Sequence, residues 1–107
     1  MIVKDEKTLD IFRNKQVCEM CGRYARKLEP HHLVCRGMAG GSRLDIPENL
    51  VALCGAFDGD CHNRAHRGDI KKSALWLIVS RREGKSVDEL HEFIYRLLRA
   101  EKGSVIS

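Results

Sequence analysis

The chain has 107 residues, of which 43% are hydrophobic and 32% charged, with a formal net charge of +4. That length supports one domain with a modest core, and the longest apolar run, Ala74 to Val79, is far too short to cross a bilayer. Five cysteines follow an amino terminus, MIVKDEKTLD, that lacks the apolar stretch of a secretory signal; the expectation is a cytoplasmic protein whose cysteines bind metal rather than form disulfides.

The first segment, residues 5–15, holds Leu9, Ile11 and Phe12 among charges and reads as a short helix or an irregular lead-in. VCEMCGRY follows, in which Cys18 and Cys21 have the Cys-x-x-Cys spacing of a metal knuckle and Gly22 supplies the backbone freedom that such a turn needs. Pro30 cannot donate to a ladder and suits a strand entry. Residues 31–35 then read as a strand with His31 and His32 on opposite faces, and Cys35 as a buried apolar residue within it. RGMAGGSR is a glycine-rich basic loop between antiparallel strands, and LVALC, Leu50 to Cys54, is the second strand, entered through Pro47 and Asn49.

Cys54 and Cys61 form a second pair with a six-residue gap, GAFDGD, wider than the usual two to four. Gly55 and Gly59 allow that loop to fold back, which makes Cys18, Cys21, Cys54 and Cys61 candidates for one structural zinc site. Such a site contributes roughly 10–16 kcal/mol of apparent binding energy, comparable with the whole stability of a small domain, about 5–15 kcal/mol. Asp60 is the expected N-cap of a helix that starts near Cys61. On that helix His62 and His66 stand at i and i+4, so both rings share one face and can grip a divalent cation together with His31.

Residues 69–107 read as helical. Ile70 to Arg82 form one helix closed by Gly84, and Ser86-x-x-Glu89 is a capping box opening the next. Val87, Leu90, Phe93, Ile94, Leu97 and Leu98 give that last helix a 3.6-residue apolar period and are read as core. Trp76 and Tyr95 are read as buried rather than as platforms for bases. Two basic stretches flank the histidines. Residues 22–43 carry Arg23, Arg26, Lys27, Arg36 and Arg43 against Glu29, and residues 61–85 carry Arg64, Arg67, Lys71, Lys72, Arg81, Arg82 and Lys85 against Asp69 and Glu83. That distribution suits contact with a phosphate backbone.

From Val17 to Gly68 the chain resembles the HNH endonuclease family found in phages, restriction systems, homing enzymes and nuclease colicins. The resemblance rests on C-x-x-C-G, E-P-H-H-L, the glycine-rich loop, N-L-x-x-L-C and C-H-x-x-x-H, occurring in that order. It implies a small α+β domain, residues 1–107, whose core is a ββα-metal (His-Me finger) hairpin with a treble-clef-like zinc knuckle and a helical extension over residues 69–107. It also implies a DNA endonuclease that leaves a 5′-phosphate and a 3′-hydroxyl. By the family's pattern His32 is the general base, suited by an ordinary pKa of about 6.5, and Asn49 ties the loop so that His32 points correctly. His31, His62 and His66 hold one divalent metal, Mg²⁺, Mn²⁺, Ni²⁺ or Zn²⁺. Family members differ in whether both histidines of the C-H-x-x-x-H ligate, which leaves the role of His66 open. Arg36, Arg43, Arg64 and Arg67 are the candidate DNA contacts, and Glu29 is a candidate for orienting a group at the metal site. The implied partners are DNA and a protein such as a phage terminase, in a bacterial or phage-infected cell, with no membrane. The competing readings are a zinc-stabilised nucleic-acid-binding module without catalysis and an adaptor that uses the amphipathic last helix.

Overall fold

The computed structural model describes residues 2–34 and 43–106, with side chains described for residues 3–34 and 44–99. Its elements are β1 (Ile2–Val3), α1 (Glu6–Arg13), β2 (Leu28–His32), β3 (Arg43–Leu44), a 3-10 turn (Pro47–Asn49), β4 (Leu50–Cys54), α2 (Cys61–His66), α3 (Lys72–Glu83) and α4 (Val87–Ile106). β2 and β4 form a two-stranded antiparallel sheet, β1 and β3 a short parallel pair, and helices pack around them, a small α+β arrangement. Cys35 and Arg36, together with the glycine-rich segment 37–42, lie outside the described residues, and Arg43 is described only as backbone of β3.

The lead-in is a helix. Asp5 caps α1 by accepting from the Thr8 N–H at 3.2 Å and the Thr8 hydroxyl at 2.9 Å, and Leu9 and Phe12, one turn apart, are buried against the sheet.

β2 runs over Leu28–His32 rather than over residues 31–35, so Pro30 lies inside the strand instead of at its entry. The pairing explains why a proline is tolerated there. Pro30 faces Ala52 of β4, and Ala52 directs both its backbone groups away from β2: its N–H donates to Glu19 Oε1 at 2.8 Å and its carbonyl accepts from the Glu19 N–H at 2.9 Å. Pro30 therefore occupies a ladder position where no N–H is needed.

β4 is buried along its whole length, between β2 on one edge and the Cys18–Cys21 knuckle on the other, with α1, α2 and α3 packed on it. Leu50, Val51, Leu53, Leu75, Val79, Leu90 and Ile94 make the centre of the core. A partly buried ion pair braces this centre. Arg82 of α3 donates to both oxygens of Glu19 at 2.8 and 2.9 Å and to the carbonyls of Pro47 and Leu50, while its guanidinium lies 4.8 Å above the Phe12 ring.

α3 begins at Lys72, two residues later than the expected start. Its end matches the expectation: Gly84 adopts φ +68°, where a glycine carries no Cβ penalty. The capping box forms reciprocally, with Ser86 Oγ accepting from the Glu89 N–H at 3.1 Å and Glu89 Oε1 accepting from the Ser86 N–H at 3.2 Å. On α4, Leu90, Ile94 and Leu98 are buried, whereas Phe93 and Tyr95 are exposed. Trp76 is buried with its ring edge-on to His91 at 4.6 Å, and so is not presented to a ligand. No described helix is long and apolar enough to cross a membrane.

Candidate functional site

The hairpin β2–β4 and helix α2 bring together two clusters of metal-competent side chains. The first is Cys18, Cys21, Cys54 and Cys61, one sulfur from each lying within 4.8 Å of the others. The wide gap between Cys54 and Cys61 closes because Asp60 turns back over it. Asp60 does precede α2, but its carboxylate does not cap that helix. Instead Oδ2 accepts from the Ala56 and Phe57 N–H groups at 2.8 and 2.9 Å, and Oδ1 from Arg23 at 3.1 Å. The side chain thus shapes the cysteine loop and ties it to the other knuckle.

The donor set fits a tetrahedral ion. Zn–S bonds of about 2.3 Å place sulfurs about 3.8 Å apart, and Cys21 Sγ lies 3.9 Å from Cys54 Sγ. Backbone N–H groups already point at two sulfurs, Cys21 N to Cys18 Sγ at 3.5 Å and Cys61 N to Cys54 Sγ at 3.4 Å. Burial pushes the Cys54 and Cys61 thiols up. Burial opposes ionisation at Cys21 as well, but hydrogen bonds from the Arg23 backbone and the other three sulfurs outweigh it and bring that thiol down to about 7. Four thiolates in one pocket require a cation to coexist; these four cysteines could hold a metal ion such as zinc.

The second cluster is His31, His62 and His66, with one nitrogen of each again within 4.8 Å of the others. β2 supplies His31, and the single turn of α2 stacks the other two, whose Nε2 atoms face each other at 3.1 Å. Ring nitrogens about 2.0–2.1 Å from a shared tetrahedral ion stand about 3.3 Å apart, so this set also suits one cation. Burial, reinforced by the neighbouring histidines, pulls His31 down to about 4 and lowers His62 as well. Both are therefore neutral near pH 7, the form that ligates. His66 is exposed, and the cluster opens to solvent on that side. Glu29 lies beside His62 across Gly55: a Cβ on Gly55 would come within 2.7 Å of Glu29 Cγ and 3.4 Å of His62 Cβ. The charge of Glu29 favours the protonated form of His62, against the larger opposing effects of burial and His66.

His32 turns the other way from β2. Its Nε2 lies 2.7 Å from Oδ1 of Asp45, a carboxylate fully shielded from solvent. Asn49, fully buried, spans the hairpin: Oδ1 accepts from the Val34 N–H at 2.8 Å, while Nδ2 donates to the Val34 and Leu44 carbonyls at 2.9 and 3.1 Å. Of the candidate phosphate contacts, Arg67 is engaged locally with Asp69 at 3.2 Å and the Asp58 carbonyl, whereas Arg64 is exposed beside the cysteine loop.

Sequence reasoning missed Asp45 and Glu19. Asp45 had one signal, a lone carboxylate between apolar Leu44 and Ile46 just before Asn49. Glu19 had none beyond its place inside the Cys-x-x-Cys. None of the family models, curated proteins or solved structures compared with the chain matches it.

Proposed function

We propose that the protein is a metal-dependent endonuclease of the HNH type that hydrolyses DNA phosphodiester bonds, with β2, β4 and α2 as its ββα-metal hairpin. The observation that carries this reading is the divergence of two adjacent histidines: His31 joins His62 and His66, while His32, on the opposite face of β2, pairs with a buried carboxylate. A site that only binds nucleic acid has no use for that second arrangement.

His31, His62 and His66 would hold the divalent cation, which when bound neutralises charge on the scissile phosphate. His32 takes the proton from the attacking water as its oxygen bonds to phosphorus. The bond from phosphorus to the 3′ oxygen breaks, and that oxygen acquires a proton from solvent, which leaves a 5′-phosphate and a 3′-hydroxyl. Asn49 holds the ends of the β2–β4 connection together, so that His32 is presented at a fixed distance from the metal ligands. Arg64 supplies positive charge beside the helix that carries His62 and His66. Duplex DNA is the proposed substrate, with sequence choice supplied by a protein partner such as a phage packaging terminase. The proposed setting is the cytoplasm of a bacterial or phage-infected cell.

One surface favours the second reading, a nucleic-acid-binding module. Tyr24 and Phe57 are 71% and 74% exposed and border a cavity of about 320 Å³ with Arg23, Arg26 and Lys27, a combination of rings and cations suited to single strands. Supercoiled plasmid with Mg²⁺, Mn²⁺ or Ni²⁺ separates the two. The nuclease reading expects nicked or linear product from the wild type and none from His32→Ala. An intact plasmid under every metal, despite tight binding, establishes the binding module instead.

A further inference from the structure

The Asp45 side chain has no solvent exposure, and its backbone N–H and both carboxylate oxygens take part in hydrogen bonds. Its N–H donates to the Val3 carbonyl at 2.8 Å, which extends the β1–β3 pairing by one residue. Oδ2 accepts from the Asp5 N–H at 2.9 Å, at the cap of α1. Oδ1 lies 2.7 Å from His32 Nε2, within the range of a charge-assisted hydrogen bond. Asn49 adds a second constraint, because its amide holds the carbonyl of Leu44, directly before Asp45, and both backbone groups of Val34, two residues beyond His32. One buried side chain thus ties together the two segments that carry His32 and Asp45.

A carboxylate can only accept, so the atom facing it must carry a proton. In neutral His32 that places the N–H on Nε2 and the lone pair on Nδ1, and the His32 side chain keeps 22% of its surface open to solvent. We propose that Asp45 is a positioning residue for hydrolysis: by holding His32 through Nε2 it fixes the ring orientation and the tautomer that leaves Nδ1 to take the proton from water. This inference rests on the reading of His32 as the general base. It adds a partner that lies 13 residues away in sequence and is supplied by the segment after the glycine-rich loop. Without Asp45 the ring is free to rotate and to place its proton on Nδ1, where it no longer accepts.

The test uses the full chain with zinc bound at the cysteines. Long-range ¹⁵N NMR of the imidazoles, with His32 assigned by comparison with His32→Gln, reads the tautomer directly, and the Nε2–H form is expected. In Asp45→Asn the single-turnover rate of plasmid cleavage falls by about 100-fold or more, while plasmid affinity and metal affinity at the histidines stay within about twofold of wild type. That split separates positioning from mere structural support, which would weaken binding and rate together through loss of folded protein. If Asp45→Asn does not fold, the wild-type spectrum alone decides. A wild-type His32 protonated on Nδ1 overturns the proposal, as does an Asp45→Asn protein that cuts at the wild-type rate. A wild-type protein that cuts nothing under any metal refutes the nuclease reading itself, and with it the role given to Asp45.

Discussion

The cysteine and histidine clusters are neighbours in sequence and in space, but they differ in how far they are closed off from solvent. Three of the four cysteines are buried, backbone N–H groups point at two of the sulfurs, and four thiolates complete a tetrahedron by themselves. Among the described residues the histidine cluster offers three candidate ligands, and His66 lies at the surface. A closed four-ligand set holds a fold together, while a three-ligand set with an open side leaves room for a reacting group. α2 belongs to both, since Cys61 begins it and His62 and His66 follow. Anchoring the helix by its first residue also aims the next ones.

The largest effect should come from breaking the closed site. Cys18→Ser/Cys21→Ser removes two of four thiolates, and with them most of an apparent binding energy of roughly 10–16 kcal/mol. The expected outcome is loss of the tightly held zinc by elemental analysis and loss of the cooperative thermal transition. A variant that keeps its melting transition without zinc would show that the cysteines do not staple the fold.

Next is the ion pair that joins the cysteine knuckle to the helical part. Arg82→Ala leaves the Glu19 carboxylate, among the described residues, with the Ala52 N–H as its remaining hydrogen-bond partner. Glu19 is partly buried, so leaving its charge uncompensated costs about 1–3 kcal/mol, to be read from urea unfolding. A loss below about 1 kcal/mol would mean that the pair behaves as a surface contact.

The two regions also differ in how far the sequence revealed them. Spacing brought the local partners of each cluster together: Cys-x-x-Cys sets a knuckle, and C-H-x-x-x-H puts two rings on one helical face, because both are local geometry. β4 and the Ser86–Glu89 capping box were legible for the same reason. What connects the pieces was not. Glu19 and Arg82 are 63 residues apart, and Asp45 meets His32 only after the chain has traversed the glycine-rich loop. The bounds of β2 differ from the expected 31–35 because Pro30 sits inside the strand, opposite an Ala52 whose backbone groups are taken by Glu19. Long-range satisfaction of polar groups is a property of the assembled fold, and no local pattern announces it.

Opening the second site further should spare the first. His62→Ala removes a partly buried ligand without touching a sulfur, so zinc content and the melting transition should stay near wild type. Metal affinity at the histidines, followed by Co²⁺ titration, should fall by about 100-fold, since a lost ligand costs at least as much as a lost supporting group, and plasmid cleavage should fall with it. Loss of the cysteine-bound zinc in this variant would dissolve the division of labour between the clusters.

The smallest effect concerns acid. Burial holds His31 down at about 4 against an ordinary 6.5, with the positive charges of neighbouring histidines acting in the same direction. In the unfolded chain this group takes a proton near pH 6.5, while in the folded chain it resists until about pH 4. Its contribution to stability is therefore complete above pH 6.5 and declines as the pH falls from there toward 4. Thiol protonation weakens zinc binding over part of the same range, so the useful quantity is a difference. With the histidines free of metal, wild type should lose stability more steeply than His31→Gln between pH 6.5 and pH 4, and the two should run parallel above pH 7. Filling the histidine site with a divalent cation should flatten the difference at its upper end, because ligation competes with protons for the same ring nitrogen. Parallel curves throughout would mean that His31 is well solvated in the folded chain. The open cluster would then have to recruit its ligand from water rather than hold it neutral in advance.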